Sequence, residues 1–136
     1  MLSVVIINFK NAPLLRLCLK SLSRVLNFEK EIIVVDVAST LATRSVAQEE
    51  FPEVKLVIFK DNIGFTRGVN EGIKRSGGDY VFVMNPDIIP LNNSLQELIR
   101  FMDSNPETGM VGSGLLSFDG SRQSSCFRFY TPLTIL

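Results

Sequence analysis

Apolar residues are gathered into short, nearly unbroken blocks along much of the chain, and the stretches between them carry turn formers or a helical period. Leu2-Ser3-Val4-Val5-Ile6-Ile7-Asn8-Phe9 and Glu31-Ile32-Ile33-Val34-Val35-Asp36 are rich in β-branched residues, which predicts strands buried on both faces, as in a parallel sheet covered by helices. Between them Leu15, Cys18, Leu19, Leu22, Val25 and Leu26 recur on one helical face, with Asn11 placed to cap that helix and Pro13 tolerated in its first turn. A strand, a helix and a strand in this order imply a right-handed crossover with both strands parallel. Ser39 or Thr40 can cap a short helix running to about Glu50, and residues 54–59, after the break at Pro52, read as a third strand.

Residues 62–74 form a loop turning into a helix that contains Gly64, Gly68 and Gly72. A glycine inside a helix costs roughly 1 kcal/mol against alanine, so these predict close approach of the backbone to the sheet or to a ligand. Gly77-Gly78 then leads into Val81-Phe82-Val83-Met84, expected to be the central strand, buried on both faces. Ser94 and Glu97 have the spacing of a capping box, and Leu95, Leu98, Ile99 and Met102 mark the buried face of a helix ending near Asn105-Pro106. Residues 109–114 read as a short glycine-rich strand, and residues 115–118 and 121–124 as a hairpin around a two-residue Asp119-Gly120 turn. The segment 127–133 is aromatic and basic without clear periodicity. The expected fold class is α/β: three layers, α/β/α, around a mostly parallel central sheet.

In open α/β sheets ligands bind outside the carboxyl ends of the strands, so the polar residues that terminate the strands are the candidates for chemistry. The first strand ends at Asn8, Phe9 and Lys10. The second ends at Asp36, which has two readings, a turn or cap residue and an acceptor for the base or sugar of a nucleotide. The fourth ends at Asn85-Pro86-Asp87, where Asp87 either finishes a turn or binds a divalent cation carrying a phosphorylated ligand, since hard oxygen ligands suit Mg²⁺ or Mn²⁺. Arg67, beside a helix N-terminus, suits a diphosphate.

The totals narrow the field. The chain has 136 residues, one domain's worth, with 14 basic and 14 acidic side chains. That balance argues against a nucleic-acid-binding surface. No apolar run is long enough for a membrane helix and the N-terminus lacks the layout of a signal peptide, giving the expectation of a soluble, cytoplasmic chain. Cys18 and Cys126 are far apart and read as free thiols. Histidine is absent. Ser-His-Asp and Cys-His nucleophile systems, HExxH zinc sites and any histidine general base are therefore excluded within this chain.

Taken in order, Ser3-Val4-Val5-Ile6-Ile7-Asn8-Phe9, Glu31-Ile32-Ile33-Val34-Val35-Asp36 with Ala38-Ser39-Thr40, Asn62-Ile63-Gly64-Phe65, Asn70-Glu71-Gly72-Ile73, Gly78-Asp79-Tyr80-Val81, Asn85-Pro86-Asp87, and Leu115-Leu116 with Asp119-Gly120-Ser121 resemble the family 2 glycosyltransferases of GT-A fold, especially their rhamnosyltransferase-like branch. The resemblance runs through nearly the whole chain. It implies a hexosyltransferase, inverting and assisted by Mg²⁺ or Mn²⁺, that moves a sugar from a UDP- or dTDP-linked donor to a glycan or lipid-linked acceptor in cell-surface polysaccharide biosynthesis. It further implies a donor site built from Asn8, Phe9, Asp36, Ser39, Gly64, Arg67, Asn70, Asn85 and Asp87, with Asp87 as the metal ligand of a DXD-like motif. By the same resemblance the chain is the donor-binding half, residues 1–136, of a longer domain whose catalytic base lies beyond Leu136. The full-length protein would work at the inner face of the membrane, with peripheral membrane association and homodimer formation as further expectations. The chain departs from the family pattern at Val37, where Asn is common, at Asn85, which replaces the first carboxylate of a strict DxD, and at Arg67 and Val69, where small or amide residues are common. A non-catalytic nucleotide- or partner-binding module of the same fold is the alternative, and a nucleotidyltransferase a third reading.

Overall fold

A computed structural model describes residues 1–25 and 27–124. The expectations placed on Leu26, on Cys126 and on the aromatic segment 127–133 lie outside the described residues. The chain divides into two compact units, Met1–Leu95 and Gln96–Leu136.

In the first unit the apolar blocks become β1 (Leu2–Phe9), β2 (Lys30–Val37), β3 (Lys55–Ile58) and β4 (Tyr80–Met84), all parallel, in the order β3-β2-β1-β4. Asn11 caps α1 (Ala12–Val25) as expected, its Oδ1 accepting from the Leu14 N–H at 3.2 Å. Of the two candidates for the next cap, Thr40 takes the role, accepting from the Thr43 N–H at the start of α2 (Leu41–Ser45); that helix widens into a π-type turn over Val46–Glu50. α3 (Phe65–Ile73) connects β3 to β4.

Right-handed crossovers place α1 and α2 on one face, because β1, β2 and β3 succeed one another in one direction, and α3 on the other, because the chain then crosses back to β4. The pleat divides the strands accordingly. Val4, Ile6, Ile32 and Val34 are buried on the α1 and α2 side, while Val5, Ile7, Ile33, Val35 and Val37 form a core beneath α3. The open question about the α3 glycines is thereby answered for two of them: Gly68 and Gly72 face the sheet. A Cβ at Gly72 would collide with Val5 Cγ1, so there the helix sits closer than any side chain would allow, and one at Gly68 would make a tight contact with Ile7 Cγ2 at 3.3 Å.

β4 departs from expectation. It pairs with β1 alone among the described residues and forms an edge of the sheet; Val81 is 39% exposed, and burial is complete only at Met84. An apolar block is closed on both faces only where strands flank it and helices cover it, and here those conditions hold for β1 and β2.

At the amino edge of the sheet, the Glu31 carboxylate gathers the chain. Oε1 accepts from the Ser3 hydroxyl at 2.5 Å and the Gly77 N–H at 2.6 Å, and Oε2 pairs with Lys55 Nζ at 2.6 Å. The Gly77 N–H first, then Lys55 and the Ser3 hydroxyl, hold its pKa down at about 2. The Gly78 N–H donates to the same Ser3 hydroxyl at 2.9 Å.

α4 (Ser94–Ser104) begins at the end of the first unit and runs into the second. The capping box does not form: the Ser94 hydroxyl donates to the Leu91 carbonyl, and the Glu97 carboxylate pairs with Arg100. In the second unit Leu98, Ile99 and Met102 are half-buried, and residues 109–114 form no strand. The hairpin is present but shorter than expected, with β5 (Leu115–Leu116) against β6 (Arg122–Gln123). Its loop spans residues 117–121, closed by the Ser117 N–H to the Ser121 carbonyl, with Gly120 at φ 81°.

Candidate functional site

The strand order reverses between β1 and β4, and α/β sheets open a crevice at such a point, outside the carboxyl ends of the strands. A cavity of about 400 Å³ lies there. Ile7 and Val37 form its apolar floor, Asn11 at the cap of α1 and Leu14 within it one side, Asn62, Gly64 and Phe65 another, and Asn85, Pro86 and Asp87 the wall beyond β4; Phe9 also lines it. A second hollow, of about 480 Å³, runs along α4 in the other unit, where the Glu97–Arg100 pair, Ser104 and Asn105 line it beside Leu98, Phe101 and Val111.

Of the residues expected to bind a donor, Phe9, Gly64, Asn85 and Asp87 line the cavity. Asn85 and Asp87 are both exposed, on a turn closed by the Ile88 N–H to the Asn85 carbonyl. Gly64 caps α3 at φ 79°, a conformation that glycine adopts without steric cost, and its N–H donates to Asn62 Oδ1 at 2.9 Å. Arg67 and Asn70 are exposed on α3 and do not line the cavity, nor does Ser39, whose hydroxyl accepts from Arg44 Nε at 3.2 Å.

Asn8 and Asp36 are brought together but not into the cavity. They are register partners at the ends of β1 and β2, Asn8 Nδ2 donates to Asp36 Oδ1 at 2.8 Å, and both side chains are fully buried. The expectation that Asp36 and Asp87 would open on one ligand is therefore not met by this conformation. The pleat is the reason: Ile7 and Val37 form the cavity floor, and Asn8 and Asp36, their immediate neighbours along β1 and β2, point to the opposite face. The pair is also incomplete, since Asn8 Oδ1 and Asp36 Oδ2 are buried without a hydrogen-bond donor. A buried acceptor without a donor costs about 1–3 kcal/mol, and such groups call for an explanation beyond stability.

Backbone strain collects at the same rim. Lys10, just past β1, has φ 51°, and Ala38, just past β2, has φ 54°. Side-chain-bearing residues are rarely held in this region, at a cost of order 1–3 kcal/mol each, and they cluster at ligand clamps. Lys10 Nζ lies 5.5 Å from the centroid of the Phe9 ring. Below the rim, burial and then the charge of Asp87 push the Cys18 thiol up to about 12, so Cys18 is an inert core residue, as its helical position implied.

The donor set for a metal is small. No group of three or more His, Cys, Asp or Glu side chains that could hold an ion occurs among the described residues. A cation that suits this wall is one content with a single carboxylate and with oxygens from a ligand, which is the habit of Mg²⁺ and Mn²⁺ at phosphate sites. Asn11, Leu14, Asn62 and Phe65 line the cavity without having been expected there, and Phe65 is the aromatic one. Its signal was available, because Phe65, Gly68 and Gly72 fall on one face of α3.

The family model described as Glycosyl transferase family 2 matches residues 3–128. Among curated proteins, the amylovoran biosynthesis glycosyltransferase AmsE of Erwinia amylovora is 30% identical over 105 residues, covering 75% of this chain and 40% of that protein. The N-acetylglucosaminyl-diphospho-decaprenol L-rhamnosyltransferase of Mycobacterium tuberculosis is 28% identical over 131 residues, covering 88% and 43%. The chain thus spans about two fifths of the length of these relatives. Among solved structures, the mannosyltransferase PcManGT from Pyrobaculum calidifontis in complex with GDP-Man and Mn²⁺ superposes with TM-score 0.64 at 22% identity, over 74% of this chain and 32% of that one. S. aureus TarS 1–349 in complex with UDP superposes with TM-score 0.68 at 22% identity, over 77% and 32%. These likenesses agree with the α/β layering, the parallel sheet and the GT-A fold class expected from the sequence.

Proposed function

The chain belongs to glycosyl transferase family 2, and from that premise we propose that its first unit holds the nucleoside-diphosphate end of a nucleotide-sugar donor for an inverting, metal-assisted sugar transfer. The observation that carries this reading is the cavity at the strand reversal, where an exposed Asp87 and Asn85 face the capped start of α3 across an apolar floor. Asp87 would ligate Mg²⁺ or Mn²⁺ together with the donor's phosphate oxygens, and Asn85 would position the ribose or diphosphate. The ion's contribution is to neutralise the charge that develops on the departing nucleoside diphosphate. Phe9 and Gly64 would contact the nucleoside. The unpaired acceptors of Asn8 and Asp36 support a role in receiving N–H or O–H donors from it once the strained turns at Lys10 and Ala38 rearrange. Arg67, Asn70 and Ser39 lie outside the cavity wall and would act on the diphosphate or the sugar from its margin.

UDP- and dTDP-linked donors are the proposed class, with GDP as the comparison, and a glycan or lipid-linked hydroxyl as the acceptor. None of the helices among the described residues is long and apolar enough to cross a membrane. Work at the inner face of the membrane would therefore rest on peripheral contact or on further chain. Calorimetric titration of UDP, dTDP and GDP, each with and without Mn²⁺, tests the site. At least one nucleotide is expected to bind more tightly with Mn²⁺, and Asp87→Ala is expected to abolish the metal's effect while leaving the melting temperature unchanged. Equal affinities in all conditions and in both proteins would remove the proposal.

The sealing of Asp36 favours a second reading, a nucleotide-binding module that keeps the fold without transfer chemistry. Hydrolysis or transfer by a chain of the relatives' full length, compared with an Asp87→Ala version of it, separates the two.

A further inference from the structure

Phe65, the first residue of α3, is 56% exposed and stands in the cavity wall. The helix explains why. Phe65, Gly68 and Gly72 lie at i, i+3 and i+7 on the face that α3 turns to the sheet. Gly72 rests on Val5 and Val35, and Gly68 on Ile7 and Val37. Each step up the helix is thus a step of two residues up the strands, and the next step reaches Phe9, past the end of the covered sheet. Helical side chains lean toward the helix N-terminus, which carries the Phe65 ring over the rim rather than onto the core. Phe9 is itself 52% exposed and lines the same cavity. The two glycines therefore do more than permit close packing: they bring the start of α3 down to the rim, where Phe65 lines the same cavity as Phe9.

The geometry points to Phe65, working with Phe9, as the platform on which the flat nucleobase of the donor stacks, a binding role distinct from that of the metal and diphosphate side of the cavity. This inference rests on the nucleotide reading given above. The rings accept any base through its π face, so the platform supplies affinity while hydrogen-bonding groups select the base. The wall itself separates the two tasks, with the aromatic rings on the β1 and α3 side and the oxygen ligands on the turn after β4.

The chain contains no tryptophan, so Phe65→Trp places a single indole fluorophore at the site. Titrating this variant with UDP and Mn²⁺ is expected to quench its fluorescence, whereas pyrophosphate and Mn²⁺, which lack a base, are expected to leave it unchanged. In calorimetry Phe65→Ala is expected to weaken UDP binding about tenfold, the size of one lost base–aromatic stack, with pyrophosphate affinity unaltered and Phe65→Tyr restoring the UDP value. If UDP binds with its Asp87 and Mn²⁺ dependence intact but is indifferent to Phe65, the platform is overturned and the nucleotide reading stands. If UDP and pyrophosphate weaken together in Phe65→Ala, the ring is structural and the platform is again overturned. Failure of the unsubstituted chain to bind any nucleotide would remove both.

Discussion

The amino and carboxyl rims of the same sheet carry similar residues and treat them in opposite ways. At the amino rim Glu31 is satisfied by Ser3, Gly77 and Lys55, and its side chain is only 10% exposed. At the carboxyl rim Asp36 is deeper still, yet it has one hydrogen bond and one bare oxygen, and its partner Asn8 has another. The amino rim is assembled to hold; the carboxyl rim keeps unmet demand, and the strained turns at Lys10 and Ala38 stand beside it. A carboxylate at a strand end is thus read correctly only from its hydrogen-bond account, because position and burial alone would rank Asp36 as the more structural of the two.

The largest expected effect tests the scaffold that both rims share. Gly72→Ala would drive a methyl against Val5, and about 3 kcal/mol of stability should disappear in urea unfolding, at the upper end of ordinary overpacking. A loss below 1 kcal/mol would mean that α3 can lift away from the sheet. Next comes Glu31→Gln, expected to cost about 2 kcal/mol at pH 7. Because the folded pKa of about 2 lies below the ordinary 4.5, the carboxylate's contribution is complete above about pH 4.5 and is lost as pH falls toward 2. Unfolding curves of the two proteins should accordingly converge over that interval; a constant gap would show that the amino rim is held by packing instead. The smallest effect has the opposite sign. Asp36→Asn supplies a donor to an under-served pair and should raise stability by about 1 kcal/mol while weakening nucleotide binding, the trade expected where a site keeps groups unsatisfied for its ligand. Thermal melts and a UDP titration of the same preparation check both halves, and a destabilised variant would collapse the contrast between the rims.

Much of the fold was legible because each strand of the first unit is announced by a β-branched or apolar run, and because Asn11 and Thr40 have the oxygen their helix starts require. The fold class and the placement of Asn85 and Asp87 at a carboxyl edge followed from the same signals. Three things were not read. The edge position of β4 depends on which strands flank it, and residues 80–84 look equally apolar in either place. The sealing of Asn8 and Asp36 follows from counting alternation along Val4, Ile6 and Asn8, a count that places both on the side away from the cavity floor. Phe65 is not announced by the glycines as a close approach of backbone to sheet or ligand; it follows only from their spacing, which specifies the face of the helix that meets the sheet. In the second unit the glycines of 109–114 weakened any strand there, as their missing side chains have nothing to pack.

The cluster around Glu31 also bears on how the molecule is made. Its partners lie 24, 28 and 46 positions away along the chain, and Ser3 reaches Gly78 over a separation of 75. Long-range contacts of this sort have to wait for distant segments to meet, and they slow the search for the native state. Until β4 arrives, β1 presents a bare flank to any passing strand, so the newly made chain is most prone to aggregate before its fourth strand has docked.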